Sequence, residues 1–148
     1  WRESATYSGG DCAVVAETPL ASLGLTICYD IRFPALYRAL AEAGATVMTA
    51  PACFTRQTGE AHWHILQRAR AIETGSFMIS AAQGGRHEDG RETFGHSLIV
   101  DPWGRILAEA EGDAPGLILA EIDLARVADA RARIPTLSHA RSFGVRRA

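Results

Sequence analysis

The stretch that most constrains the fold is Leu23-Gly24-Leu25-Thr26-Ile27-Cys28-Tyr29-Asp30-Ile31-Arg32-Phe33-Pro34. Its first half is apolar and partly β-branched, which is typical of a strand, and Pro34 suits the first turn of a helix. Cys28 therefore falls where a strand ends and a turn begins, the edge at which open α/β sheets place their chemistry. Backbone N–H groups at such a turn favour a thiolate and stabilise an oxyanion, although a lone cysteine in an apolar run is more often a small buried side chain.

The flanking patterns predict a mixed α/β fold. Residues 12–17 predict a strand that forms a hairpin with 23–28, and a helix that starts at Pro34 and stops at Gly44 leads into a strand at 46–50. A strand, a helix and a second strand in this order predict a right-handed parallel crossover. Further along we predict helices at 60–74 and 124–133, strands at 77–82, 97–101, 105–109 and 117–122, a turn at 102–104 and an exposed loop at 84–92.

Composition excludes several classes of protein. The net charge of −2 and the pI near 6.2 argue against a nucleic-acid or membrane-surface partner, because there is no basic field to attract phosphates. No apolar run approaches the roughly 20 residues of a membrane span. The three cysteines, at positions 12, 28 and 53, show neither a disulfide pattern nor C-x-x-C spacing, which favours a reducing, cytoplasmic location.

Five segments together resemble the nitrilase, or carbon-nitrogen hydrolase, superfamily, and most closely its omega-amidase and deaminated-glutathione amidase branch. They are residues 28–34, 49–55, 58–63, 68–73 and 95–104. The resemblance implies an α/β fold, a four-layer αββα sandwich of the nitrilase type. Judged by the number of predicted strands, this chain contains about half of that sandwich. Residues 1–133 would be the C-terminal half of that domain and 134–148 a tail that could lie at a dimer interface. The start at Trp1 also suggests an incomplete chain, and the family pattern predicts a homodimer that needs the missing N-terminal half.

The resemblance makes Cys28 the nucleophile of an amidase and the backbone N–H of Tyr29 an oxyanion donor. A thioester would form and water would hydrolyse it. The family's glutamate and lysine lie upstream of the cysteine, and all 15 basic residues here are arginines, so we predict that this chain alone is inactive. The predicted substrate is a small linear amide that bears a carboxylate. The alternatives are an inactive scaffold or interaction domain, N-carbamoyl hydrolysis and amide transfer.

Four further residues match pocket positions of that branch: Arg32, Cys53, Phe54 and Thr58. The planar guanidinium of Arg32 suits a carboxylate, but an ion pair with Asp30 is an equally good interpretation. Phe54 is also interpretable as a loop aromatic packed on the core. Cys53 narrows the pocket slightly or has no effect.

No metal or cofactor is predicted. His62 and His64 are two residues apart on a predicted helix and cannot converge on one ion. The helix pattern places His62 in the core, buries Ile65, Leu66, Ala69 and Ile72, and leaves Gln67 in solvent. His87, His96 and His139 lie in or beside loops with no acidic or thiol pattern around them. A papain-like pairing of Cys28 with His96 lacks that family's local motifs.

Overall fold

In the computed structural model, which describes residues 5–147, the chain forms a six-stranded sheet, a two-stranded ribbon and four α-helices. The strands are β1 (Val14–Glu17), β2 (Ser22–Leu25), β3 (Val47–Thr49), β4 (Phe77–Ser80), β5 (Gly84–Arg86), β6 (Glu92–Phe94), β7 (Leu98–Val100) and β8 (Ile106–Glu109). The helices are α1 (Pro34–Glu42), α2 (Arg56–Thr74), α3 (Ala125–Arg133) and α4 (Thr136–His139), and a 3-10 turn covers Cys28–Arg32. None of the helices within residues 5–147 has the length and apolar character needed to cross a membrane.

The sheet order is β1-β2-β3-β4-β7-β8, with β2, β3 and β4 parallel and the remaining pairs antiparallel. The predicted hairpin of β1 with β2 and the parallel crossover from β2 through α1 to β3 are confirmed. Pro34 begins α1, and the chain leaves that helix through Gly44 at φ +100°, a conformation that glycine adopts without strain. The predicted turn at 102–104 is also present, because Asp101 accepts from the N–H groups of Trp103 and Arg105 at 2.9 Å each.

One face of the sheet is covered by α1 and α2. Tyr37 and Leu40 of α1, Trp63 and Ala71 of α2, and Met48, Met78, Leu98 and Val100 of the strands are nearly or fully buried there. Alternate strand residues such as Val47 and Phe77 point to the opposite face, where they pack with Val127 of α3. That second face is less well covered, because Leu25 and Ile79 are 44% and 38% exposed.

Helix α2 differs from its prediction in start and in buried face. It begins at Arg56, four residues before the predicted start, since the hydroxyl of Thr55 caps its first turn by accepting from Thr58 N–H. Ile65 and Ile72 are 68% and 51% exposed, while Gln67 is fully buried and its Oε1 accepts from Ser80 Oγ at 2.8 Å. The predicted apolar face was therefore correct for Leu66, which packs on the main core, and wrong for Ile65 and Ile72, since the buried face includes the hydrogen-bonded amide of Gln67 instead.

Two further predictions were wrong or incomplete. The supposed loop at 84–92 contains β5 and leads into β6, whose Thr93 and Phe94 are buried. Residues 117–122 pair with no strand among residues 5–147, and Leu117 and Leu119 are 84% and 80% exposed. Within the predicted tail, Leu137 of α4 packs on the main core, and the carbonyl of Leu137 accepts from Arg38. The placement of residues 134–148 at a dimer interface stays a prediction.

Candidate active site

Cys28 lies beyond the end of β2, where the chain bends into the 3-10 turn. The parallel pairing of β2 with β3 continues past the strands, since Thr26 N–H donates to Thr49 O and Cys28 N–H donates to Pro51 O at 2.8 Å. The carboxylate of Asp30 accepts from Ile27 N–H at 2.8 Å and closes the turn. Cys28 itself has φ +47°, the left-handed region that non-glycine residues seldom occupy. The local hydrogen bonds therefore hold the thiol-bearing residue in a strained backbone conformation.

Cys28 lines a cavity of about 840 Å³. The predicted site residue Cys53 lines the same cavity, on the segment that follows β3. The rest of the wall comes from the segment after β4, from His87, from the turn before β7, and from residues 110 and 112–116. The structure thus brings Cys28 and Cys53 to one cavity at the carboxyl ends of the parallel strands.

Arg32, Phe54 and Tyr29 form a separate group that does not line this cavity. The guanidinium carbon of Arg32 lies 5.1 Å from the ring centroid of Phe54 and 5.8 Å from that of Tyr29. Arg32 Nη1 also lies 3.2 Å from Nδ1 of His62. No carboxylate within residues 5–147 forms an ion pair with Arg32, so the alternative pairing with Asp30 is absent from this part of the chain. His62 is exposed, and its predicted place in the core was wrong.

Phe54 and Thr58 also lie outside the cavity wall. Phe54 is 7% exposed, and its ring centroid lies 5.1 Å from that of Trp63, which agrees with the alternative of an aromatic packed on the core. The hydroxyl of Thr58 lies 2.8 Å from that of Thr55 at the start of α2. Because Phe54 directly follows Cys53 in the chain, the group around Arg32 adjoins the cavity through this segment.

A cluster of His64, His96 and Glu109 was not predicted from the sequence. Oε1 of Glu109 lies 2.8 Å from Nε2 of His64 and 2.7 Å from Nδ1 of His96. The prediction that His96 has no acidic partner was therefore wrong, because β7 and β8 pair and bring Glu109 opposite Leu98. Partial burial raises the pKa of Glu109, but the hydrogen bonds from the two imidazoles outweigh it and hold that pKa below its usual value.

The cavity wall at residues 112–116 was also missed. This segment, Gly112-Asp113-Ala114-Pro115-Gly116, follows β8 and contributes all five residues to the wall. Its glycines and proline mark a loop in the sequence, but only the fold places that loop at the cavity that Cys28 lines. Ser97, another wall residue, accepts from Ala82 N–H at 2.9 Å and so links the turn before β7 to the segment after β4.

Known proteins resemble this chain over nearly all of its length. The family profile for carbon-nitrogen hydrolase matches residues 1–132. A deaminated glutathione amidase of Yersinia enterocolitica is 46% identical over 141 residues, which cover 95% of this chain and 49% of that protein. The chain thus spans about half the length of the curated relatives it matches.

Solved structures agree with this assignment. The C. elegans NitFhit protein superposes with a TM-score of 0.84 at 41% identity, covering 91% of this chain and 32% of that one. A mutant of the amidase from Nesterenkonia sp. AN1, solved with acrylamide added to its active-site cysteine, gives a TM-score of 0.71 at 31% identity and covers 90% and 51%. The mixed α/β fold is of the nitrilase type, and the chain belongs to the carbon-nitrogen hydrolase family.

Proposed function

We propose that Cys28 is the nucleophile of an amidase that cleaves a small linear amide bearing a carboxylate. The observation that carries the proposal is the position of Cys28 on a strained turn at the carboxyl end of β2, with its side chain at a cavity of about 840 Å³. A cavity of this size fits a small-molecule substrate. The deaminated glutathione amidases among the relatives and the cysteine adduct of the Nesterenkonia amidase support the reaction class.

In the proposed reaction, the Cys28 thiolate attacks the amide carbonyl carbon and a tetrahedral intermediate forms. The Tyr29 N–H, which directly follows Cys28 in the 3-10 turn, is the proposed donor to the oxyanion. The C–N bond then breaks as the leaving amine takes the proton that a general base has removed from the Cys28 thiol, and a thioester remains on Cys28. Water hydrolyses the thioester to a carboxylate and restores the thiol.

A general base and a lysine must complete this site. The chain has no lysine, and we propose that the family's glutamate and lysine come from residues outside these 148. We therefore expect that this chain alone does not turn over an amide. This expectation would be contradicted if the chain released ammonia and the release depended on Cys28. A substrate panel on the longer polypeptide would separate the amidase from the alternatives. These are an inactive scaffold or interaction domain, N-carbamoyl hydrolysis and amide transfer.

Arg32 is the proposed partner of the substrate carboxylate. Its guanidinium lies against Phe54 and has no carboxylate partner among residues 5–147, so its planar donor edge can serve an anion. In the polypeptide that supplies the base and the lysine, Arg32→Gln should raise KM for a carboxylate-bearing amide and leave KM for a neutral amide unchanged. Equal effects on both substrates would assign Arg32 to the structure alone.

Alkylation tests the nucleophile directly in this chain. Acrylamide should modify Cys28 faster than Cys12, although Cys12 is exposed, if the turn favours the Cys28 thiolate. Mass spectrometry of the peptides after timed exposure gives the relative rates, with Cys53→Ser as the matched control for the second cysteine of the cavity. Faster modification of Cys12 would contradict an activated Cys28.

The assembly and location are proposed as well. We propose a homodimer in a reducing, cytoplasmic setting, supported by the partly exposed apolar residues Leu25 and Ile79 and by the thiol state of Cys12 and Cys53. Size-exclusion chromatography with light scattering measures the oligomer. A stable monomer would count against the homodimer.

A further inference from the structure

We propose that His64, His96 and Glu109 form a binding site for a divalent zinc ion. This cluster is distinct from the proposed nucleophile, and its members come from three different elements. His64 lies on α2, His96 in the turn before β7, and Glu109 at the end of β8. Their ligand atoms, Nε2, Nδ1 and Oε1, all lie within 4.8 Å of one another. Two imidazoles and one carboxylate are a ligand set that zinc uses when it keeps a further position open.

Zinc binding requires a rearrangement of the three ligand atoms, which lie within 4.8 Å of one another. Zinc with bonds of about 2.0–2.1 Å places tetrahedral ligand atoms roughly 3.3 Å apart. Glu109 Oε1 lies 2.8 Å from His64 Nε2 and 2.7 Å from His96 Nδ1, so these distances would open by roughly half an ångström to that value. Each imidazole would present the nitrogen that faces Glu109 without its proton and keep the proton on the other ring nitrogen. Zinc would thus replace two hydrogen bonds to one oxygen by three metal bonds.

The surroundings orient the two histidines. The ring of His96 stacks on Phe94 with centroids 4.2 Å apart, and the ring of His64 meets the same phenyl ring edge-on at 5.7 Å. The backbone of His96 has φ +58°, and its carbonyl accepts from the indole N–H of Trp63 at 2.7 Å. Such contacts orient ligands before an ion arrives, which strengthens binding.

The site is also accessible. The side chains of His64, His96 and Glu109 are 31%, 28% and 33% exposed, so an ion can reach them from solvent. His96 also lines the cavity of Cys28. A competing zinc site is therefore possible in chemical terms, because the sulfur of Cys28 and the imidazoles of His87 and His96 border the same cavity. The experiment must distinguish zinc bound there from zinc bound to His64, His96 and Glu109.

Zinc titration of the untagged protein by isothermal calorimetry tests the proposal. We expect one ion per chain. Since loss of a residue that merely orients a ligand costs about 10–100-fold in metal affinity, His64→Gln and Glu109→Gln should each weaken binding by at least about 10-fold. His62→Gln, which changes an exposed histidine of the same helix, and Cys28→Ser should leave the affinity unchanged.

Two outcomes overturn the proposal: no saturable binding, or a loss of affinity in Cys28→Ser with binding retained in His64→Gln. Thermal unfolding in the presence of a chelator identifies any variant that fails to fold. Cobalt bound to the wild-type protein provides a readout that needs no variant. Visible bands of four-coordinate cobalt without a thiolate charge-transfer band support the His64, His96 and Glu109 site, and a thiolate band contradicts it.

Discussion

The two faces of the central sheet differ in how completely they are covered. Met78 and Ile79 are neighbours on β4, yet Met78 is fully buried under the helices and Ile79 is 38% exposed on the opposite face. The 19 residues of α2 extend along the first face, whereas the 9 residues of α3 cover only the end of the second face near Val47 and Phe77. The first face is therefore a complete core, and the further layer that the family fold implies for the second face stays a prediction.

The test with the largest expected effect on the free energy of unfolding compares two alanine variants on β4. Met78→Ala removes a fully buried side chain and should lower the free energy of unfolding by about 2–5 kcal/mol. Ile79→Ala should cost roughly 1 kcal/mol, since that side chain is already partly hydrated. Urea denaturation of both variants measures the two values. Equal losses would mean that the second face is covered in solution, by a second copy or by a longer polypeptide.

The next test concerns how α3 is attached to the second face. Arg131 donates to the carbonyls of Thr74 and Ala45 at 3.0 and 2.7 Å and to Ser76 Oγ at 2.9 Å. Arg131→Met should lower the free energy of unfolding by about 2 kcal/mol, because hydrogen bonds from a charged group are lost and buried acceptors stay unsatisfied. Urea denaturation measures this loss as well.

The matched control lies on the same helix. Among residues 5–147, the one ion pair of Arg133 is an exposed pair with Asp129, so Arg133→Met should change the free energy of unfolding by less than about 0.5 kcal/mol. Similar effects of the two substitutions would show that the anchoring role assigned to Arg131 is wrong.

The smallest expected effect is a pH dependence that originates on the covered face. Burial raises the pKa of Tyr37 from 10.0 to about 12, against the lowering effect of its hydrogen bond with Thr26. Above pH 10 the unfolded chain loses this proton while the folded chain keeps it, so stability should fall as pH rises, by about 1 kcal/mol at pH 11. Tyr37→Phe removes the group and should flatten this part of the profile. An unchanged slope in the variant would assign the alkaline loss to other residues.

Local signals in the sequence predicted much of the helix-covered face. Pro34 and Gly44 bound α1 because proline and glycine act on their own backbone, and the parallel β2–α1–β3 unit follows from element order. The position of Cys28 at a strand end follows from the same local pattern. The family assignment also rested on contiguous segments that can be identified without a fold.

Contacts between distant residues could not be predicted in this way. Gln67 is buried because Ser80 donates a hydrogen bond to its side-chain carbonyl, and His96 meets Glu109 because β7 pairs with β8. The loop at 112–116 joins Cys28 in one cavity wall only once the sheet is assembled. Hydrophobic periodicity contains no information on such pairings, so it placed Gln67 in solvent and left His96 without a partner.

The left-handed backbone of Cys28 has a consequence for protein engineering. A Cβ atom at φ +47° carries a conformational cost of about 1–2 kcal/mol that glycine avoids. Cys28→Gly would remove this backbone cost together with the reactive sulfur and the packing of the side chain against the core. At this position a relaxed backbone and a reactive thiol exclude each other, so directed evolution of this chain needs selection for both stability and activity.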